Sequence, residues 1–484
     1  MNPCLRTGTL LAALTLAACA QTPTTEPAAN GAPAPRDGQR LDDRRPEQPT
    51  TVQVFGQPVE LGGSWEFSAE QRRNFDLDRS NDRDRRVQEH EIKLEARTAP
   101  SPDSEVFVQA VGLIDKRRTG TAEPVREKSL ERGQTWVRFD RLGGTPFALQ
   151  AGRVPLIDRR AWWWDDDLDA VRIVGQGQGW RLDTGLAQEL LRVSSKDRGI
   201  APGQRGVRRW FGQASWRPAR RHAVELFWLN QRDGSPRPPL GSVAVDEDAI
   251  DASDLNARWV GVRASGEFRP DTGPRLAYWA DVARLRGREA LTDYSELADG
   301  SFLAGATGSR QVRGHALDVG AVLAFPVPMR PSIGAAFARG SGGERSAALD
   351  ANFRQTGLQE NKARIGGVKR LRRYGELLDP QLSNLEVRTL ATGIRLFDNS
   401  SLELIAHRYR QVVPSPVLTG SRLSADPAGT STDIGREIDV FLAVREWKHL
   451  ELTLRWSRFV PGAAFAEGER DPAHGIEFGA ALNF

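Results

Sequence analysis

Apolar and polar residues alternate one for one along most of the chain beyond about residue 60. In SWEFSAEQR (64–72), Trp65, Phe67 and Ala69 share one face, and Glu66, Ser68, Glu70 and Arg72 the other. EIKLEAR (91–97) sets Ile92, Leu94 and Ala96 against Glu91, Lys93, Glu95 and Arg97. The same rhythm runs through GWRLDTGLAQELL (179–191), EIDVFLAVR (437–445), HLELTLRWS (449–457) and HGIEFGAALNF (474–484), which ends on Phe484. A period of two is the mark of strands with two unlike faces, so the chain is expected to be all-β.

The connections between these strands are sorted by length. Long polar stretches are expected near 75–89, 116–131, 154–167, 194–206, 232–256, 286–310, 340–385, 413–433 and 460–473. Short ones lie between them: APSPDS, LGGTP, GQG, RPAR, RPDTGP, PVPMRP, DNS and WKH. Nine long loops make nine hairpins, hence about 18 antiparallel strands. A transmembrane outer-membrane β-barrel sorts its connections in this way, with short periplasmic turns and long extracellular loops. An even strand number returns both ends to the periplasm, and the last strand must close on the first because lipid cannot satisfy an open edge. Phe484 then ends the closing strand, and such an aromatic resembles the signal read by the insertion machinery.

Composition agrees. The chain has 484 residues, 27% charged and 39% hydrophobic, with mean hydropathy −0.48 and no apolar run long enough for a spanning helix. Barrel strands keep average hydropathy low, because only every second residue meets lipid. The two cysteines, Cys4 and Cys19, lie in MNPCLRTGTLLAALTLAACAQ, whose basic Arg6 and apolar Leu10–Leu16 read as a signal peptide over 1–20. Two cleavages fit: a lipobox, Leu16–Cys19, leaving a lipidated Cys19, or ordinary cleavage after the small-x-small ACA. Residues 21–55 read as a disordered Pro/Ala-rich leader, and 56–484 as the barrel.

Parity places Arg72, Arg97, Arg138, Arg172, Arg181, Arg209, Arg217, Arg263, Arg445 and Arg455 on the lumen side, with carboxylates such as Glu66, Glu70, Glu91, Glu95, Asp183, Glu225, Asp281, Glu437, Asp439, Glu451 and Glu477. The expected interior is therefore mixed. A local bias exists between Arg153 and Arg221, with 14 Lys/Arg against 8 Asp/Glu; there Arg172, Arg181, Arg209 and Arg217, with Arg138 beside them, are expected to form an anion-selective constriction. Arg153 sits on the lipid parity of FALQAGR, which implies a strand end, a bulge or a register slip. AWWWDDD (161–167) reads as an interfacial girdle at the outer rim rather than a sugar-stacking platform. Its three adjacent carboxylates do not converge on a metal. NKARIGGVKRLRR (361–373) carries Lys362, Arg364, Lys369, Arg370, Arg372 and Arg373 with no acid. An attractive fringe, an inward constriction and contact with lipopolysaccharide phosphates are all open for it. His407 and Tyr409 share one face and either line the pore or cap a hairpin. The chain has six histidines but no GxSxG motif and no metal-ligand spacing, so no enzyme, metal or cofactor is expected.

Four stretches carry a resemblance: FVQAVGLID (107–115), ALQAGRVPLIDRRAWWWDDDLDAVRIV (148–174), FRQTGLQENKARIGGVKRLRRYGELLDPQLSNLEV (353–387) and SSLELIAHRYRQ (400–411). Together they resemble the alginate export family of outer-membrane porins across roughly residues 60–484. The resemblance implies a monomeric barrel that passes an anionic polysaccharide, alginate or a similar polyuronate, through a basic pore; strand parity offers Arg97, Arg138, Arg172, Arg181, Arg209, Arg217, Arg263 and Arg455 as its lining residues, and transport is expected to be passive. Outer-membrane lipid, lipopolysaccharide and a periplasmic export scaffold are the expected partners; nucleic acid is not. The alternative is a diffusion porin for small anionic solutes.

Overall fold

The structure is a computed structural model and describes residues 49–484 other than 82, 344, 345 and 347. The expected signal peptide, the lipobox at Cys19 and most of the leader lie outside these residues. Eighteen strands form the ring: β1 (Gln57–Arg73), β2 (Arg85–Ser101), β3 (Ser104–Thr119), β4 (Val125–Phe139), β5 (Phe147–Ile157), β6 (Asp165–Gly177), β7 (Trp180–Gln188), β8 (Arg208–Ala219), β9 (His222–Arg232), β10 (Ser253–Phe268), β11 (Arg275–Glu296), β12 (Phe302–Ala324), β13 (Ser332–Gly340), β14 (Leu385–Arg395), β15 (Ser401–Gln411), β16 (Asp433–Val444), β17 (Leu450–Pro461) and β18 (Ala473–Asn483). Each pairs antiparallel with its chain neighbours, and β18 closes on β1 from Ser64↔Asn483 to Arg73↔His474. Beyond that register, Phe484 and Gly63 exchange backbone hydrogen bonds of 3.0 and 2.9 Å.

Alternation decides which face is which. Leu186, Trp210, Leu226, Val282, Leu404, Ile438 and Trp456 point out and are exposed, while Phe211, Phe227, Trp259 and Phe441 point in and are buried. An outward apolar band on a closed ring is the arrangement lipid requires.

Three local departures from the sequence reading have physical causes. Thr50–Val54, placed in the leader, forms a short strand on Gln57–Leu61 through a two-residue turn in which Phe55 and Gly56 both have positive φ, 51° and 77°; this is the hairpin geometry that matches strand twist. The loops expected over 116–131 and 286–310 shrink to 120–124 and 297–301. There β3–β4 and β11–β12 run on, because a ladder outside lipid needs paired backbone but no apolar face. Finally, the β5–β6 hairpin bends inward at its long-loop end. β5 leaves β4 after Thr135↔Arg153, and Val154, Pro155 and Leu156 are all buried. The bend falls at Gly152, with φ +127°, where an added Cβ would sit 2.2 Å from the Thr135 carbonyl oxygen.

Gly152→Ala should therefore lower the thermal midpoint of the purified barrel, by about 1–3 kcal/mol of strain, without preventing assembly. A melting curve matching that of the parent would show that the bend does not depend on this backbone conformation.

Candidate functional site

A ring of this size leaves more room than wall side chains can fill, and what fills much of it here is the 341–384 segment. It leaves the rim with Ser341 N–H on the His315 carbonyl (2.8 Å), and Arg354 bidentate to Glu289 at 2.6 and 2.8 Å. It then descends to the opposite end. Gly366 and Gly367 donate N–H bonds of 3.1 and 2.9 Å to Glu403, Val368 N–H donates to Ser401 Oγ, and Arg395 and Arg445 donate to the carbonyls of Gly367 and Val368. Arg395, Ser401 and Arg445 all flank short turns, so the apex of the segment reaches the short-turn end. A Cβ on Gly367 would lie 1.7 Å from Glu403 Oε2 and 2.7 Å from Ser401 Oγ, which explains the GG pair inside a basic run.

Three cations of that run are spent on wall carboxylates. Lys369 pairs with Glu451, Arg370 with Asp165 (3.0 Å) and Arg373 with Asp318 (2.9 Å), while Arg372 pairs with Asp379 of its own segment at 2.9 Å. The returning chain docks Leu377 and Leu378 N–H on Glu437 at 2.7 and 3.0 Å. Buried Phe353, Leu371, Tyr374, Leu377, Leu378 and Leu382 add an apolar contact to the wall. Of the readings open for this basic loop, inward folding is the one observed.

The tryptophan triplet is a correction. Trp162, Trp163 and Trp164 are 2%, 1% and 1% exposed, so they form neither a rim girdle nor a sugar platform. They ride inward on the bent β5–β6 hairpin, where Trp163 stacks on Phe227 (5.0 Å, 6°) and Trp162 Nε1 donates to Tyr374 Oη at 2.7 Å. Asp158 sets this turn: its carboxylate accepts N–H bonds of 3.0 Å each from Arg160, Trp162 and Trp163 and ion-pairs with Arg263. Burial alone would raise the Asp158 carboxyl; the Arg263 guanidinium and these N–H donors hold it far below the usual carboxylate range instead. The following carboxylates diverge, Asp165 to Arg370 (3.0 Å) and Asp167 to Gln134 (3.2 Å).

The eight arginines expected to line the pore fall into three groups. Arg97, Arg138, Arg181 and Arg217 lie near the short-turn ends of β2, β4, β7 and β8, where Arg97 pairs with Glu105, Arg138 with Asp140 (2.8 Å) and Arg181 with Asp183 (3.7 Å). Arg217 is exposed, with no ion pair to a described residue. Arg172 and Arg209 are buried in the wall. Arg172 donates to Gln150 (2.8 Å) and the Pro155 carbonyl (2.9 Å), and Arg209 to Gln231 (3.0 Å) and Gln204 (2.8 Å). Arg263 and Arg455 hold inward segments. Arg263 joins Asp158 to Asp281 (2.6 Å), and Arg455 lies between Glu477 (2.8 Å) and Glu376 of the inward segment (3.8 Å). Four of the eight thus lie at the same, short-turn end of the ring. His407 and Tyr409 face inward but are covered: Tyr409 Oη donates to the Tyr374 carbonyl at 2.9 Å. Parity places Glu437 on the lumen side, but nothing in the sequence marks it, or Glu403, Asp318 and Asp158, as an anchor of the inward segments.

A family model described as alginate export matches residues 57–476. The chain belongs to the alginate export family. The alginate production protein AlgE of Pseudomonas syringae pv. tomato is 26% identical over 324 residues, 65% of this chain and 62% of that protein. Its counterpart in Pseudomonas aeruginosa is 27% identical over 311 residues, 63% of this chain and 61% of that protein. Each matched stretch thus covers less than two thirds of the relative. Among solved structures, P. aeruginosa OccD3 (OpdP) superposes with TM-score 0.53 at 11% identity, covering 91% of this chain and 95% of that one. The P. aeruginosa outer membrane protein OpdK superposes with TM-score 0.52 at 10% identity, over 88% and 98%. These two share the fold. With the family match, they identify the chain as an outer-membrane β-barrel.

Gly367→Leu should displace the apex of the inward segment and raise single-channel conductance while the ring still assembles; unchanged conductance would show that this apex does not narrow the bore. Asp158→Asn should cost about 3 kcal/mol. A depressed carboxyl stabilises the native state above its unfolded value of about 4 and stops doing so only as pH falls through its lower native value. The stability gap between parent and Asp158→Asn should therefore persist from about pH 7 down to about pH 5. A gap that closes within that window would contradict the Arg263 pairing.

Proposed function

We propose that this protein is the outer-membrane channel through which an alginate-like anionic polysaccharide leaves the cell. The short-turn end faces the periplasm and the long loops face outward, the orientation that barrels of this class adopt. The observation that carries the reading is the gathering of Arg97, Arg138, Arg181 and Arg217 at the short-turn mouth. A uronate chain presents one carboxylate per sugar, and guanidinium forks meet carboxylates bidentately and stay charged. Three of these arginines already have a carboxylate of their own, Arg97 on Glu105, Arg138 on Asp140 at 2.8 Å and Arg181 on Asp183 at 3.7 Å, so they attract a polyanion without holding it fast.

Deeper in, Lys369, Arg370 and Arg373 are matched by wall acids and Lys362 and Arg372 by acids of their own segment, which leaves no concentrated positive trap. The inward segment is then the constriction past which the polymer is threaded. Transport is passive, driven from the periplasmic side where an export scaffold delivers the chain, since the outer membrane has no nucleotide supply. The barrel works as a monomer and makes or breaks no covalent bond. The family match favours polymer export over a diffusion porin for small anions.

Arg181→Glu combined with Arg217→Glu should shift the reversal potential in planar bilayers toward cation preference and weaken block by oligouronates added on the short-turn side. Reversal potential and block both equal to those of the parent would end the arginine-mouth reading. A deletion strain that still secreted all its uronic acid would end export itself.

A further inference from the structure

On the outer wall, away from the lumen, lies a groove of about 700 Å³. Its origin is the inward bend of the β5–β6 hairpin. That bend leaves residues 125–134 of β4 without a β5 partner, and the segment after β7 crosses the gap to take the free edge. There Arg132 N–H donates to the Val193 carbonyl at 2.9 Å, Ser195 N–H to the Leu130 carbonyl at 2.8 Å, and Glu131 bridges to Ser194. The crossing segment roofs the groove with Leu190 and Leu191. The floor is lipid-facing Val171, Leu186 and Trp210, at the upper edge of the apolar band.

One row above that apolar floor runs a line of outward arginines. Arg153, the residue whose parity stood out in the sequence, does lie on the outward face, opposite Thr135 and Asp169. Arg208 and Arg232 are directly opposite one another on β8 and β9. Arg153, Arg208 and Arg232 form no ion pair with a described residue, and Arg153 Nε is buried without a hydrogen-bond partner. Four carboxylates lie within electrostatic reach of Arg153: Glu131, Asp166, Asp169 and Glu189. Asp169 is taken up by Arg132, at 2.5 and 2.8 Å, and by the Leu190 N–H at 2.9 Å. Glu189 lies at the lip of the groove. Three strand spacings separate Arg153 on β5 from Arg208 on β8, about 14 Å.

We propose that this groove binds a phosphorylated glycolipid of the outer leaflet, its acyl chains on Val171, Leu186, Leu191 and Trp210 and its phosphates on Arg153 and the Arg208–Arg232 pair. Outward arginines directly above an apolar, lipid-facing floor, Arg208 and Arg232 exposed and Arg153 half-buried, are complementary to a molecule that is anionic at one end and hydrocarbon at the other. The spread of the arginines suits two phosphates carried on a disaccharide rather than the single phosphate of a glycerophospholipid. The proposal rests on the orientation given above, long loops outward, and not on what the channel carries.

The test is native mass spectrometry of the detergent-purified barrel with bisphosphorylated lipid A, monophosphorylated lipid A or phosphatidylglycerol. Arg208→Ser with Arg232→Ser should weaken retention of bisphosphorylated lipid A about tenfold, while Arg284→Ser with Arg286→Ser, outward arginines on β11 outside the groove, should leave it unchanged. Equal retention by both double variants, or phosphatidylglycerol held as well as lipid A, would overturn the proposal. Leu240→Cys, in the loop after β9, separately reports orientation: labelling on intact cells by an impermeant maleimide supports the outward placement. A residue reached only after the outer membrane is opened would overturn both that placement and this site, leaving the arginine-mouth recordings to stand by themselves.

Discussion

The bore is organised by one exchange of charge: guanidinium and ammonium groups on an inward chain segment against carboxylates on the wall. Taking ions out of water is costly, and a buried pair repays that cost only when its remaining donors and acceptors are also satisfied. The segment comes nearest this condition at two wall carboxylates. Asp318 receives Arg373 at 2.9 Å, Tyr374 Oη at 2.8 Å and Trp279 Nε1 at 2.6 Å. Glu437 receives two backbone N–H groups, and the Tyr409 hydroxyl is shared between its Oε2 at 3.1 Å and the Tyr374 carbonyl at 2.9 Å. The run from Asn361 to Arg373 needs no acid of its own, because its cations meet Asp165, Asp318 and Glu451 on the wall or Glu360, Glu376 and Asp379 just outside the run. Removing the segment would leave Asp318, Glu403 and Glu437 facing an open bore.

The same exchange divides the interior. From β5 round to β16 the wall away from the short-turn mouth is largely covered by Trp162–Trp164 and by the inward segment, and inward Phe211, Phe227, Trp259, Asp318 and Phe441 are buried. Along β1 to β4 it is wetter and mixed in sign: the Glu66 side chain is 50% exposed, and Lys93 bridges it at 3.4 Å and Glu91 more closely. A polyanion passing this side meets alternating charge rather than a positive column. In the proposed reading, attraction belongs to the mouth and the passage beyond it is permissive, which is what multi-site conduction asks of a wall.

The ring was legible in the sequence because each strand carries its own evidence. Ile438 and Leu442 face lipid, Glu437 and Asp439 face inward, and no distant residue is needed to see it. Legibility fails where a partner is remote or the period breaks. Arg370 meets Asp165 across 205 positions and Lys369 meets Glu451 across 82, so NKARIGGVKRLRR announces charge and close backbone approach but not a destination. At β4 the register shifts between Val108 and Ala110, which turns Arg132 outward although strict alternation from Trp136 would turn it in. Overhanging β11 and β12 lose their period because water lies on both sides, and they read as loop. Arg172 and Arg209 were placed on the correct face, but parity cannot say whether an inward arginine meets water or, as here, Gln150 and Gln231.

The inner core and the outer groove have a common cause. Bending the β5–β6 hairpin into the lumen delivers three tryptophans to Phe227 and sets Asp158 on Arg263. It also strips β4 of its neighbour over 125–134, and an unpaired strand edge is a liability that must be covered. Residues 193–195 cover it from outside, and in doing so they hold Leu190 and Leu191 over Arg153. A single backbone decision at Gly152 therefore shapes both surfaces of the wall. Residues that look misplaced by parity, Arg153 and Asp169 on a lipid face, become intelligible as the polar border of a gap that the inward bend opened.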